Sequence, residues 1–347
     1  MTSLMWRVTS VCLAGVLGGC GFPRPATLAS DAEVPDVATD SGMVTDSAVS
    51  ADGRMPVGVD SGLLIDGGDG GVASRCSSSA RFGASVPLSE ITLANAAEPF
   101  LSPDELTIYF SAESSNADTG LYVARRSKRT EPFGAPLLMT ELFAPSMFEG
   151  HPSVTSDGLT IFFGMASQRG GFFFPGYHLY VATRRSALAQ FGPASLLATV
   201  NSSDSKYFDG WPFVSADGEE LWFSSERDGE SLLIWRARRL ADGFDAPEPV
   251  RELNAMVAGT VSIDIAPVLS ADKLDVYFSS ARTPTGGGLD LWTSHRDSVN
   301  DGFPAPRSLD DLNTGSNDVL GWLSPDNCRM YGSQGFGLFV AARQPAP

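Results

Sequence analysis

The sequence predicts an all-β fold, a five-bladed β-propeller, and three observations predict it. A motif recurs five times at a nearly fixed period. Its apolar runs are strand-like, and no segment shows sustained helical periodicity. An outer-strand signature that the last copy lacks stands instead before the first.

The clearest copy covers residues 149–185, EGHPSVTSDGLTIFFGMASQRGGFFFPGYHLYVATRR. The others cover 96–126, 209–239, 264–296 and 318–343. Their turn aspartates, Asp104, Asp157, Asp217, Asp272 and Asp326, stand 53 to 60 residues apart. Self-similarity at such a period sets the architecture, because each copy is one supersecondary unit that buries its faces against its neighbours. The step has room for four strands and their turns.

After each turn comes a run rich in β-branched and aromatic residues: 106–110, 159–163, 221–223, 274–278 and 329–331. A second run follows at 121–124, 179–182, 232–237, 289–293 and 338–341. Gly, Asp and Pro bound these runs, as they bound strands. Between units stands a Phe-Gly-Ala-Pro type segment, as at Phe133-Gly134-Ala135-Pro136, Phe244-Asp245-Ala246-Pro247 and Phe303-Pro304-Ala305-Pro306. It suits an outer strand, where proline is tolerated because an edge needs fewer amide donors.

The last copy ends at Arg343 and Gln344 without such a segment, whereas Arg81-Phe82-Gly83-Ala84-Ser85-Val86-Pro87-Leu88 precedes the first copy. The N-terminal strand is therefore expected to complete the last blade, leaving no open sheet edge at the joint. That closure brings Cys76, just before the closing strand, towards Cys328, at the start of the last unit's second strand. A Cys76–Cys328 disulfide follows as the expectation, with two free thiols as the alternative. Closing so long a loop contributes at most about 4–5 kcal/mol in the chain-entropy account.

The N terminus differs in kind. Residues 1–7 carry one cation, and 8–17 form an apolar run too short to span a bilayer. Leu17-Gly18-Gly19-Cys20 follows. This resembles the lipobox of bacterial lipoproteins. The resemblance implies a signal peptide over 1–19, lipidation of Cys20 and membrane contact through the lipid anchor alone. Gly21 after the cysteine implies the outer membrane, facing periplasm or surface. Residues 20–80 are rich in Asp, Gly, Ser, Ala and Val and nearly free of aromatics, which predicts a disordered tether. Its aspartates match no calcium-loop spacing. The propeller is then expected over 81–347.

The chain has 347 residues, with 41 acidic and 24 basic side chains and a formal charge of −17. So acidic a surface excludes nucleic acid as the natural partner. A monomer is expected, with an envelope protein or a glycan as its partner.

The repeat resembles the WD-repeat-like propeller repeat of TolB-like and OmpA-associated envelope proteins. Leu101-Ser102-Pro103-Asp104, Tyr277-Phe278-Ser279-Ser280 and Leu289-Asp290-Leu291-Trp292 carry the resemblance. It covers about residues 81–343, and it implies a fold and not an activity.

Features that recur in every copy are read as scaffold. They include the turn aspartates and the arginines Arg125, Arg184, Arg238, Arg296 and Arg343, taken as turn formers and blade-to-blade ion pairs. Eight residues before the turn aspartates stand Ala96, Glu149, Asp209, Asp264 and Asp318. Four carboxylates are thus expected at the mouth of a central channel. Three roles suit them: acceptors for backbone amides of neighbouring blades, ligands of a hard cation such as calcium, or acid and base on a glycoside. No other cofactor is implied.

Departures from the repeat are the better functional suspects. They cluster in the second and third copies: Phe148, Phe172, Phe173, Phe174, Tyr177, Tyr207 and Trp211. Aromatic rings beside carboxylates suit carbohydrate or peptide recognition, and they equally suit a small inward-folded core. The three histidines show neither zinc spacing nor a Ser-His-Asp pattern. A non-catalytic envelope lipoprotein that binds a protein or glycan through this aromatic and acidic face is the first functional expectation, and a surface glycoside hydrolase or lyase using the carboxylate ring at the channel mouth the second.

Overall fold

A computed structural model describes residues 76–77, 80–113, 119–166, 176–229, 231–255, 263–282 and 288–344. All of them belong to the unit that runs from Gly70 to Pro347. The signal peptide, Cys20, nearly all of the expected tether, and Phe172, Phe173 and Phe174 lie outside the described residues. Within them the protein is all-β and propeller-like, with 21 strands and no helix. Among the described residues, no helix is long and apolar enough to cross a membrane.

The strands fall into four sheets, of four, five, four and eight strands; the eight-stranded sheet joins two antiparallel sets through one parallel bridge between Thr119 and Phe148, so that five similar antiparallel sets, called units below, follow one another along the chain. Their innermost strands are Ala97–Leu101, Phe148–Val154, Asp209–Val214, Asp264–Leu269 and Asp318–Leu323. The second strands are Thr107–Glu113, Thr160–Ala166, Glu220–Ser225, Asp275–Ser280 and Arg329–Gln334. The third are Thr119–Arg125, His178–Thr183, Leu233–Leu240, Asp290–His295 and Gly337–Ala342. Short outer strands follow at Leu137–Leu138, Ser195–Leu196, Glu248–Pro249 and Arg307–Ser308. The fifth unit takes its outer strand, Val86–Pro87, from the other end of the chain, pairing Val86 with Val340 and Pro87 with Phe339. Each innermost strand packs against those of the units before and after it, and the last packs against the first.

Each turn between the first two strands is built alike. A Ser or Thr hydroxyl donates to the aspartate two residues on, at 2.5–2.6 Å in all five units. The same carboxylate accepts a backbone amide two residues beyond it, such as Leu159 N at 2.9 Å. The residue after the aspartate is left-handed, which Gly158 (φ 71°) adopts freely and Glu105 (φ 61°) adopts under strain.

Among the described residues the third-strand arginines make no ion pair from one unit to the next; Arg126 lies 3.8 Å from Glu105 and Arg238 3.1 Å from Glu248, each within its own unit. Arg126, Arg184, Arg296 and Arg343 lie over Phe133, Phe191, Phe303 and Phe82 at 4.2–4.3 Å. Each Nε donates to a backbone carbonyl in its own unit's turn. Across units they donate to tyrosine hydroxyls, Arg184 to Tyr109 at 2.8 Å and Arg343 to Tyr277 at 2.8 Å. The register also needs correction. Arg126, not Arg125, fills the position in the first unit, and Arg239, over Phe244 at 5.2 Å, fills it in the third. Phe82 therefore does for Arg343 what each unit's own outer-segment phenylalanine does elsewhere.

Two further ties hold the joint. Cys76 is bonded to Cys328, with Cα atoms 5.7 Å apart across a separation of 252 residues. Glu105 of the first unit is buried against the fifth, where Arg329 Nε lies 3.0 Å away and the Tyr331 hydroxyl donates at 2.8 Å. The core lies between adjacent sheets, where Phe110, Phe163, Phe223 and Phe278 occupy one repeated position and are fully buried. Each contributes on the order of 2–3 kcal/mol of apolar burial.

Candidate functional site

The innermost strands start at the end of the units where the inter-unit loops lie. All four expected ring carboxylates sit there, and all are 0 % exposed. They face the loops and not an open mouth. Asp209 Oδ1 accepts from Ser225 Oγ at 2.6 Å and Arg227 Nη2 at 2.8 Å, and its Oδ2 accepts the Ser202 amide at 2.7 Å. Asp264 repeats the pattern with Ser280, Arg282 and the Ala255 amide at 2.6, 2.6 and 2.8 Å. Asp318 accepts the amide and hydroxyl of Thr314 at 2.7 and 2.9 Å. Each of these three ties an inter-unit loop to its strand, so each is an anchor of a separate loop. Among the described residues, no three His, Cys, Asp or Glu side chains lie close enough together to hold a metal ion.

Glu149 departs from this pattern. Its Oε1 accepts the Ala144 amide at 2.9 Å, and its buried Oε2 has no hydrogen-bond partner among the described residues. The cause lies across the strand pair. Asp209 and Asp264 face Ser225 and Ser280, whereas Glu149 faces Met165. Burial pushes the Glu149 carboxyl up to about 7, against the Ala144 amide bond that favours its charge. Burial likewise works to raise Asp209, but His178, Ser225, Arg227 and the Ser202 amide outweigh it and hold that carboxyl below its ordinary value. In Asp318 burial wins over the Thr314 bonds and the pKa is raised.

One step further along each innermost strand the register slips, between Ala97 and Phe100, Gly150 and Ser153, Gly210 and Phe213, Ile265 and Val268, and Leu320 and Trp322. At four of these bulges a non-glycine residue is left-handed: Glu98, His151, Trp211 and Ala266, with φ of 48–58°. A proline follows each, and a bulge tolerates its missing amide. With Gly321, these residues line an axial cavity of about 20 Å³, room for about one water.

Sequence reasoning missed the pair that this slip creates. His151 Nε2 lies 2.7 Å from Glu98 Oε1. Glu98 Oε2 accepts the His151 amide and Ser111 Oγ, each at 2.9 Å. The Trp211 amide donates to His151 Nδ1 at 3.3 Å, and the indole stacks on the imidazole with centroids 4.2 Å apart. The tautomer with its proton on Nε2 suits both contacts. Burial works to raise Glu98, and His151 with the amide and hydroxyl bonds holds it below the usual carboxylate range. The signal was available, since Glu98, His151, Trp211, Ala266 and Leu320 are one repeat position whose residue type varies from unit to unit.

The expected recognition aromatics divide. Tyr177 is 0 % and Trp211 4 % exposed, so neither offers an open ring face. Tyr177 stacks on Phe208 at 4.8 Å, and Phe208 lies 5.1 Å from Trp211. Phe148 is half-buried, edge-on to Tyr177 at 5.8 Å. Gly164 makes room for this cluster, for its Cβ would fall 2.0 Å from the Tyr177 ring. Tyr207 is also half-buried, under Lys206 Nζ at 4.7 Å. The arrangement can bind protons, hold loops and wedge the second and third units together. Within the described residues it presents no wide cleft at this end.

No protein-family model matches the chain, and no curated protein matches it. It is similar to solved structures at low identity. One is TolB from Acinetobacter baumannii, at 14 % identity and TM-score 0.42, over 72 % of this chain and 55 % of that one. Another is the α-L-arabinofuranosidase PaAbf62A from Podospora anserina, at 12 % identity and TM-score 0.49, over 79 % and 100 %. A third is a thermostable family-43 glycoside hydrolase, at 12 % identity and TM-score 0.48, over 74 % and 96 %.

Proposed function

We propose that this chain is a non-catalytic cell-envelope lipoprotein whose propeller binds an envelope protein or a glycan. In this reading Cys20 carries the lipid, the stretch to residue 80 is a tether, and the body is a ring of five blades closed by residues 82–88. The pairing of Val86 with Val340, the Arg343–Phe82 contact and the Cys76–Cys328 bond support that closure. The reading places the protein at the outer membrane as a monomer and invokes no cofactor. One observation carries the absence of catalysis: Asp209, Asp264 and Asp318 spend their oxygens on loop amides and hydroxyls. Acid–base hydrolysis needs two carboxyl groups open to the glycosidic bond, and these three are closed to it.

A second reading, a glycoside hydrolase or lyase, is favoured by Glu149 alone, whose raised pKa and bare Oε2 suit a general acid. Two assays on the lipidated protein decide. Cross-linking in envelopes is expected to give one discrete partner, and a broad polysaccharide panel is expected to show no turnover. Turnover that disappears in both Glu149→Gln and Asp209→Asn would overturn the proposal in favour of the enzyme.

A further inference from the structure

The joint between the first and fifth units carries a local excess of positive charge. Three guanidiniums approach the one buried carboxylate of Glu105: Arg126 Nη2 at 3.8 Å, Arg129 Nε at 3.8 Å and, from the fifth unit, Arg329 Nε at 3.0 Å. Arg126 is enclosed, and its Nη2 also donates to the Tyr331 hydroxyl at 3.2 Å. Arg129 and Arg329 reach the surface, with side chains 39 % and 31 % exposed. Arg129 Nε bonds the Asp104 carbonyl at 3.1 Å, and Arg329 Nε nears Glu105 without the alignment of a hydrogen bond. Among the described residues, the Nη nitrogens of these two arginines have no bonded acceptor. The neighbouring acids are engaged elsewhere. Asp104 and Asp326 accept hydroxyls and amides of their own turns, and Glu131 accepts the Ser127 hydroxyl. The place is also a departure from the repeat, since the other units have Thr107, Thr160, Glu220 and Asp275 where Arg329 stands.

We infer that Arg129 and Arg329 clamp one phosphomonoester group at this joint. Three guanidiniums against one carboxylate leave a surplus of two positive charges. A phosphomonoester carries a charge of about −1.5 to −2 at pH 7 and three strong acceptor oxygens. Guanidinium N–H groups match phosphate oxygens in pairs, so two arginines supply donors for all of them. A carboxylate, with a single charge and two oxygens, is matched by one arginine and leaves the second idle. Glu105 brings the two together, with Arg129 against Oε1 and Arg329 against Oε2. The clamp therefore exists only where the first and fifth units meet. Arg125 and Lys128, exposed and without an ion pair among the described residues, extend the positive surface beside it.

The test is titration of the full chain, carrying Cys20→Ser so that no lipid intervenes, with inorganic phosphate at pH 7.5 and constant ionic strength. The side-chain N–H signals of Arg129 and Arg329 are followed by NMR. Both are expected to move together with a Kd of about 1 mM or tighter, and acetate is expected to bind at least about tenfold more weakly. Arg129→Gln, at a surface position that leaves the fold intact, should weaken phosphate about tenfold through the lost charge-assisted bonds. Glu105→Gln removes the competing negative charge and should tighten phosphate by about threefold or more, an effect that a purely structural joint would not produce. Arg185→Gln, on the second unit, should change nothing. Two arms distinguish the source of the phosphate. If phosphatidylcholine vesicles containing phosphatidic acid displace inorganic phosphate and sediment the chain in an Arg129-dependent way, the group belongs to a membrane lipid. If inorganic phosphate binds and the vesicles do not, it belongs to a soluble ligand. No movement of either arginine up to about 10 mM phosphate, equal affinity for acetate, or a Kd indifferent to Arg129→Gln overturns the inference and leaves Glu105 and its arginines as a tie between units. The site does not rest on the binding-protein reading, which cross-linking in envelopes tests separately.

Discussion

Glu149 and Asp264 occupy one position in two copies of the same unit, and they have opposite fates. Asp264 meets a serine across the strand pair, an arginine two residues beyond that serine and a loop amide. Glu149 meets Met165 across the pair and, among the described residues, keeps the Ala144 loop amide without a serine or arginine beside it. The backbone is the same, so the difference is one of partners. A repeat fixes where a side chain stands, while the departures around it decide its charge. Two departures in the second copy, a glutamate for aspartate and Met165 for serine, turn a loop anchor into a carboxyl that titrates near neutrality.

The largest effect that can break this comparison is at Asp264. Asp264→Ala removes a fully buried acceptor and strands Arg282, whose side chain is 13 % exposed. A loss of about 3–5 kcal/mol is expected from such a stranded ion, read by urea unfolding, and a loss below about 1 kcal/mol would show that the anchor is ornamental. Next comes the joint. Cys328→Ser should cost about 2–4 kcal/mol and speed proteolysis near residue 82, because the short strand Val86–Pro87 would then hold the ring edge without the Cys76 bond.

Glu149→Gln should act in the opposite direction. A carboxyl raised from 4.5 to about 7 costs the folded state nothing below pH 4.5. It costs progressively more as pH rises to about 7, and a constant amount beyond. Glutamine is therefore expected to stabilise the protein by at most about 3–4 kcal/mol at pH 8, at 1.4 kcal/mol per unit of pKa, and to leave it unchanged at pH 4. Asp209, with its pKa lowered, contributes stability that is present above its ordinary value of 3.8 and is lost as pH falls below it. Asp209→Asn should accordingly remove part of the acid-side loss and none of the neutral-side slope. The smallest expected effect is that of Met165→Ser, which restores the hydroxyl found opposite Asp209 and Asp264. It should bring the Glu149 pKa down by about 0.5–1 unit; no movement would mean that Met165 is not what leaves Oε2 bare.

What the sequence made legible was whatever is encoded within a few residues or by the period. The Ser/Thr-x-Asp turns, the second and third strands, and the displaced segment at Phe82 all carry local signals. The arginine register was off by one in the first and third units because Arg125-Arg126 and Arg238-Arg239 are both pairs, and only the facing Phe133 and Phe244 rings select the second member. Glu98 and His151 were not read as partners because their contact depends on a bulge in each of two strands 53 residues apart. Tyr177 and Trp211 sit inward, since Gly164 and the neighbouring rings open space that residue type alone does not reveal.

The most direct test is to follow the side-chain carboxyl carbons of the folded protein by NMR from pH 3 to pH 9. Glu149 is expected to titrate at about 7, and Asp209 below its ordinary 3.8. Observing Glu149 at an ordinary glutamate value, or finding Asp209 raised with it as one coupled pair, would contradict the claim that most of these acids are anchors and one is not.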